Sequence, residues 1–337
     1  MIRFTATIGA FFTLINAAIA AEPIIDMHIH ADRVADYGPP GQKMCLPEEI
    51  RAFDPGKGVS WPEAWGQHMQ NPTCEKWAPA SASDDALMRE TLAVMEKRNI
   101  IAVAGGSPDM VRKWKEAAPE RIIAARHFRL GLASTASVEE LRAEYEAGGF
   151  EVLAEVTNQY SGFGPDAPEF AAYWALAEEK DFPVGIHMGS MPPGSAYLFG
   201  GRARIALGDP LLLEEVLVKH PKLRVYVIHA GYPFADHMIA MMEQYPQLYV
   251  EIGVLPAIMP REQFYDFLSR LVRTGFGDRI LFGSDQMMWP GIIENAILAI
   301  EKAPLTKQQK RDIFYNNAAR FLRLSDEEIA AHKALTP

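Results

Sequence analysis

The sequence predicts an α/β protein: one (β/α)8 barrel of the TIM type, with a long insertion after the first strand and extra helices at the C-terminal end. Two observations carry this expectation. Apolar stretches of strand length alternate with stretches of helical period through eight rounds, the pattern of βαβ units and parallel pairing. Histidines and carboxylates recur at the C-terminal ends of those apolar stretches, where barrels of this class keep their sites. A doubly wound open sheet also alternates, but it has no reason to stop at eight units.

Taken in order, the chain opens with a segment unlike the rest. In residues 1–21 Arg3 is the only charge, residues 8–20 are apolar nearly all round, and Ala18-Ile19-Ala20 places small residues ahead of Glu22-Pro23. This reads as a secretory signal, too short for a membrane span, with the mature chain starting near Ala21 or Glu22. The expected location is therefore periplasmic or secreted, and residues 22–337 form the catalytic barrel. The alternative is an amphipathic first helix packed on the domain.

The first strand is Ile24-Ile25-Asp26-Met27-His28-Ile29-His30. Alternation puts Asp26, His28 and His30 on one face and Ile25, Met27 and Ile29 on the other. Same-face Cα atoms lie about 6.6 Å apart, so both rings can lean onto one metal ion at about 2.0–2.1 Å. Residues 32–83 follow with many Pro and Gly, no sustained period, and Trp61, Trp65 and Trp77. So long an irregular stretch inside a compact domain reads as a lid. A short helix over 62–71 would put Trp61, Trp65 and His68 on one face, either contacting substrate or anchoring the lid.

From here the alternation is regular. Helices are expected over 84–98, with Ser83 as N-cap, and over 107–117, 137–147, 168–180, 209–219, 234–244, 261–274 and 290–302. Strands are expected over 99–105, 121–127, 150–156, 182–187, 223–229, 248–252 and 279–283. A further helix over 306–324 would close one end or side of the barrel, followed by a short polar helix.

Composition narrows the partners. With 337 residues, 49 % of them hydrophobic, the chain can bury a large single-domain core. The net charge of −10 with scattered basic residues argues against nucleic acid and against an anionic membrane surface, leaving a small-molecule substrate and a possible homo-oligomer. Only Cys45 and Cys74 are present, without metal-type spacing. In an oxidising compartment a disulfide between them is expected.

The strand ends carry His28 and His30, then His127, Glu155, His187, His229 and Asp285. They converge on one mouth, and imidazole with carboxylate suits zinc, in one or two ions, with manganese, iron or nickel compatible. Taken singly, each has a duller reading: a capping His127, a Glu155 paired with an arginine, an Asp285 capping the next helix. Gln159 and Tyr160, just beyond Glu155, are candidate substrate contacts. Arg202 and Arg204 could hold a substrate carboxylate or form a solvated pair.

Asp-Met-His-Ile-His (26–30), Gly-Ile-His-Met-Gly (185–189), Val-Ile-His-Ala-Gly (227–231), Phe-Gly-Ser-Asp (282–285) and Ile-Phe-Tyr-Asn-Asn-Ala-Ala-Arg-Phe-Leu (313–322) resemble the amidohydrolase-related branch of the amidohydrolase superfamily. That branch includes relatives of aminocarboxymuconate-semialdehyde decarboxylase and pyrone-dicarboxylate lactonase. The resemblance implies that His28, His30 and His187 are metal ligands. It makes His229 a ligand or a polarising group, and Asp285 a ligand that also takes a proton from metal-bound water. In several hydrolytic members a carboxylate or carboxylated lysine at the position of Glu155 bridges two metals, whereas many decarboxylase-like members lack one.

The resulting expectation is a metal-dependent hydrolase cleaving a C–O or C–N bond in a lactone, ester or amide, with Asp285 and His229 catalytic. The alternatives are a metal-dependent decarboxylase of an unsaturated or aromatic acid and a catalytically idle binding barrel. The even period also sets Glu151, Leu153 and Glu155 on one face, so Glu155 should point inward as a bridging ligand. The competing account has Glu155 orienting His187 or holding Arg126.

Overall fold

The computed structural model describes residues 22–49 and 52–335. The signal-like segment 1–21 lies outside them. The barrel strands are β1 (Ile24–Ala31), β2 (Ile100–Gly106), β3 (Ile122–Ala124), β4 (Leu153–Val156), β5 (Val184–His187), β6 (Val225–Ile228), β7 (Leu248–Glu251) and β8 (Ile280–Leu281). β1 to β3 form one parallel run and β4 to β8 another. Bridges Ala125↔Val152 and Phe128↔Val156 join β3 to β4. Met27 N donates to Phe282 O at 2.9 Å, and Asp285 N to His28 O at 2.8 Å, so the chain after β8 closes the cylinder onto β1.

Helices cover the outside in the expected order. Asp84–Arg98 starts on the Ser83 cap, whose hydroxyl accepts from Ala86 N at 3.2 Å, and Val138–Glu146 starts on a Ser137 capping box. The inside is filled by Ile25, Met27, Val103, Ala125, Val152, Ala154, Tyr226, Ile228 and Leu281, sealed below by Tyr315, Ala318, Ala319 and Phe321. Those last residues come from the π-helical turn Asp312–Asn316 and the helix Asn317–Leu322, the expected closing helix. Among the described residues, no helix is long and apolar enough to cross a membrane.

Two strands depart from simple alternation. In β1 the register against β2 shifts between Asp26 and Ile29. Met27 consequently packs inside with Ile25, while Ile29 and Ala31 pack in the outer layer, and the expected shared face of Ile25, Met27 and Ile29 is broken. In β4 the register shifts between Leu153 and Val156. Val152 and Ala154 lie inside and Leu153 outside, and Glu151 sits exposed before the strand, 3.8 Å from Lys115. Glu155 therefore reaches the mouth through the irregularity, not through a face shared with Glu151 and Leu153.

The insertion is folded. A ribbon pairs Lys43–Cys45 with Trp77–Pro79, the helix Trp61–Gln70 lies between them, and Cys45 and Cys74 are bridged with Cα atoms 6.0 Å apart. Trp61 stacks on Trp65 and its indole donates to Pro193 O at 2.8 Å, fastening the insertion to the loop after β5. Trp77 is half exposed, beneath Lys43.

Candidate active site

The C-terminal ends of the strands bring six of the sequence-selected residues together. β1 supplies His28 and His30, β4 supplies Glu155, β5 supplies His187, and the turns after β6 and β8 supply His229 and Asp285, all buried. His229 and Asp285 both sit in the left-handed region, at φ 57° and 52°. Non-glycine residues accept that strain where the surroundings fix them, and here it turns both side chains back over the barrel axis. Asp285 does not cap a helix, because the next one begins only at Gly291.

The ligand atoms form two separate groups, His28 with His30 and Asp285, and Glu155 with His187 and His229, each within 4.8 Å, and a third group of His28, His229 and Glu251 shares a histidine with each. His28 Nε2 and His30 Nε2 are 3.1 Å apart, and His30 Nε2 is 2.8 Å from Asp285 Oδ1. Two nitrogens held about 2.0–2.1 Å from one ion at a tetrahedral angle would be separated by about 3.3–3.4 Å, so the pair is close to the spacing a single divalent ion needs. Glu155 stands between the groups, with Oε2 3.9 Å from His28 Nε2 and Oε1 3.9 Å from His229 Nε2. Neither competing partner takes it. Arg126 pairs with Glu144, and His187 Nδ1 faces Gln159.

Each imidazole is held by its other nitrogen. His229 Nδ1 donates to Gly253 O at 2.9 Å, His187 Nδ1 to Gln159 Oε1 at 3.1 Å, and His30 Nδ1 to Asp32 Oδ2 at 3.0 Å. His28 Nδ1 lies 3.3 Å from Glu251 Oε2. Such partners fix ring orientation, and an acceptor at Nδ1 leaves the Nε2 lone pair facing the centre. Burial, with the neighbouring imidazoles, lowers the pKa of His187 and His229, which keeps them neutral. Burial opposes charge on Asp285 and Asp32, but the histidines around them outweigh it and hold both well below the usual carboxylate range. Burial dominates at Glu155, raising it against the pull of His28 and His30, and pushes Glu251 up to about 8.

The other selected residues fall differently. Tyr160 reaches the centre, its hydroxyl 3.2 Å from His187 Nε2. Gln159 is buried beneath His187, and its amide nitrogen donates to Gly189 O and Arg204 O, so it positions the imidazole and does not face a substrate. Arg204 folds back onto Gly201 O and Ala203 O, and Arg202 is exposed; neither joins the cluster. His127 stands beside Asp32 at 3.5 Å, at the edge of the centre.

Sequence reasoning missed Asp32, Tyr37, Arg129 and Glu251. Tyr37 donates to Asp32 at 2.7 Å, tying the insertion to His30's partner. Arg129 lies 5.0 Å over the Tyr160 ring, donates to Thr157 at 2.8 Å, and acts electrostatically on Glu155, Tyr160 and His187. Glu251 was within reach of the rule used for the others, since it ends β7.

A (β/α)8 barrel with four imidazoles and two carboxylates converging at its C-terminal mouth belongs to the class whose site residues can hold one or two divalent ions. The chain is a member of the amidohydrolase family, whose model matches residues 25–324. Among solved structures it is similar to an uncharacterized TIM-barrel protein from Bordetella bronchiseptica, at 17 % identity and TM-score 0.59, covering 91 % of this chain and 99 % of the other. It is also similar to a probable 2-pyrone-4,6-dicarboxylic acid hydrolase from Acinetobacter baumannii with citric acid bound, at 13 % and 0.54, covering 89 % and 99 %. A third is a dihydroxybenzoic acid decarboxylase from a Polaromonas species with bound manganese and 2-nitroresorcinol, at 14 % and 0.54, covering 91 % and 99 %. At such identities the shared property is the fold. No curated protein matches.

Proposed function

We propose that this protein is a metal-dependent hydrolase that cleaves a C–O or C–N bond in a small, carboxylate-bearing lactone, ester or amide. The observation that carries the reading is the placing of Glu155 between the two ligand groups, one oxygen toward each at 3.9 Å. His28, His30 and Asp285 would hold one ion, His187 and His229 a second, and Glu155 would lie between them. Zinc is the first choice, and manganese, the ion in the Polaromonas decarboxylase, the second.

A divalent ion held by these residues would supply Lewis-acid polarisation of a carbonyl and would lower the pKa of water from about 15.7 toward about 7. The residues supply the rest. Asp285, ionised and 2.8 Å from His30 Nε2, is placed to take a proton and return it to the leaving group. Burial of the imidazoles excludes bulk water, which strengthens each electrostatic contact within the centre. Arg129, stacked on Tyr160, is the cation placed to hold a substrate carboxylate, and Phe199, 4.8 Å from Tyr160, adds an apolar wall. Export of the chain, directed by residues 1–21, belongs to the same proposal.

The second reading is decarboxylation of an unsaturated or aromatic acid. It is supported by the decarboxylase among the similar structures and by an aromatic site that carries a cation. One experiment separates the readings: the zinc- or manganese-loaded protein is offered carboxylated lactones, esters and amides alongside aromatic acids. Ring opening or hydrolysis supports the first reading, carbon dioxide release replaces it with the second, and ligand binding without turnover leaves a binding barrel.

A further inference from the structure

Three of the four imidazoles at the centre meet partners that leave no choice of proton position. The carbonyl oxygens of Gly253 and Gln159 can only accept, and Asp32 Oδ2 already accepts from the Tyr37 hydroxyl at 2.7 Å. His28 is the exception, because its Nδ1 faces a second buried carboxyl group, Glu251, at 3.3 Å. Glu251 has no exposure at all. Its Oε2 is turned to His28, and its Oε1 accepts from Gly253 N.

The place of this carboxylate is built into the backbone. A Cβ at Gly283 would overlap Glu251 Oε1, and one at Gly253 would stand 2.5 Å from the same atom. Any side chain at either position would therefore collide with it, and the barrel leaves these two sites bare around one acid. The acid lies behind His28, while His28 Nε2 faces the opposite way, toward His30 Nε2 at 3.1 Å and Asp285 Oδ1 at 3.7 Å. With no exposure, Glu251 stands within 4.8 Å of ligand atoms of both His28 and His229, and its hydrogen-bonding contact with the centre is to His28 Nδ1.

We propose that Glu251 is the positioning residue of His28: it accepts the Nδ1 proton, presents the Nε2 lone pair to the cation, and raises the affinity of the centre for divalent metal. The inference rests on the metal-binding reading above. Both oxygens of Glu251 face nitrogens, Gly253 N and His28 Nδ1, so each stands in an acceptor's place. Glutamine cannot replace it, because one carbonyl oxygen cannot serve both His28 Nδ1 and Gly253 N, and the amide NH2 must then face a donor.

The test uses the full chain, stripped of metal and titrated with zinc against a chelator of known affinity. Glu251→Gln should weaken zinc binding about 10-fold and Glu251→Leu about 100-fold, the range for removing such a partner. In the ¹⁵N spectrum of the zinc-loaded wild type, His28 should carry its proton on Nδ1 and its metal on Nε2. Folded variants that bind zinc as tightly as the wild type would overturn the assignment while leaving the metal reading intact. So would a His28 bound through Nδ1, a result that needs no variant to fold. A wild type that binds neither zinc nor manganese would instead remove the metal reading, and this inference with it.

Discussion

The Nε2 atoms of His28 and His30 face each other at 3.1 Å, while their Nδ1 atoms turn away onto Glu251 and Asp32, at 3.3 and 3.0 Å. Two lone pairs so close repel unless a proton or a cation lies between them. A cation that binds the folded chain and not the unfolded one adds stability by mass action. Zinc at about 100 times its dissociation constant should therefore add about 2.7 kcal/mol, and chelation should remove it. Calorimetry with and without chelator measures this; an unchanged melting temperature would count against a cation at the pair.

Asp285 is turned onto the centre by a left-handed backbone and stays ionised among the histidines. Asp285→Asn keeps the shape and removes the proton acceptor. Turnover should fall by on the order of 10²–10⁴, the contribution of a positioned general base. Near-normal turnover would end the assignment.

Glu155 offers one oxygen to each ligand group. If it bridges, Glu155→Gln should lower bound metal from two equivalents toward one. Elemental analysis of the fully active wild type tests the premise, and a single equivalent there would defeat the bridge.

Arg129 and the exposed Arg202 make a controlled comparison. Loss of a charge-assisted contact costs about 1.5–3 kcal/mol. Arg129→Met should accordingly raise KM for carboxylated substrates by roughly 10- to 100-fold, whereas Arg202→Met should leave it within about twofold of the wild type. Equal effects would show that Arg129 does not hold the carboxylate.

The Cys45–Cys74 bridge spans 29 positions within the insertion that also carries Tyr37. Replacing both cysteines with serine should cost about 2–4 kcal/mol, read as a lower denaturation midpoint. Mass spectrometry of protein from the exported fraction gives a second check: a mature start near Ala21 or Glu22 and no free thiol are expected. A retained leader would argue against export, and free thiols against the bridge in vivo.

The sequence by itself determined the strand and helix alternation, and with it the barrel. It also determined which residues lie at the strand ends: His28, His30, Glu155, His187, His229 and Asp285. These were legible because side-chain period and strand order are local properties, and a closed parallel barrel sends every C-terminal end to one mouth. Tertiary structure alone decided the facing. The register shifts at Asp26/Ile29 and Leu153/Val156 arise from pairing with neighbouring strands, and they overturn the alternation that local period implies. The same limit hid the supporting residues. Gln159 became a prop for His187, Arg129 displaced Arg202 and Arg204 as the cation near the centre, and Glu251 took the space left by Gly253 and Gly283. Each of these depends on contacts between segments far apart in the chain, and on a balance of burial against neighbouring charge that exists only once those segments are packed.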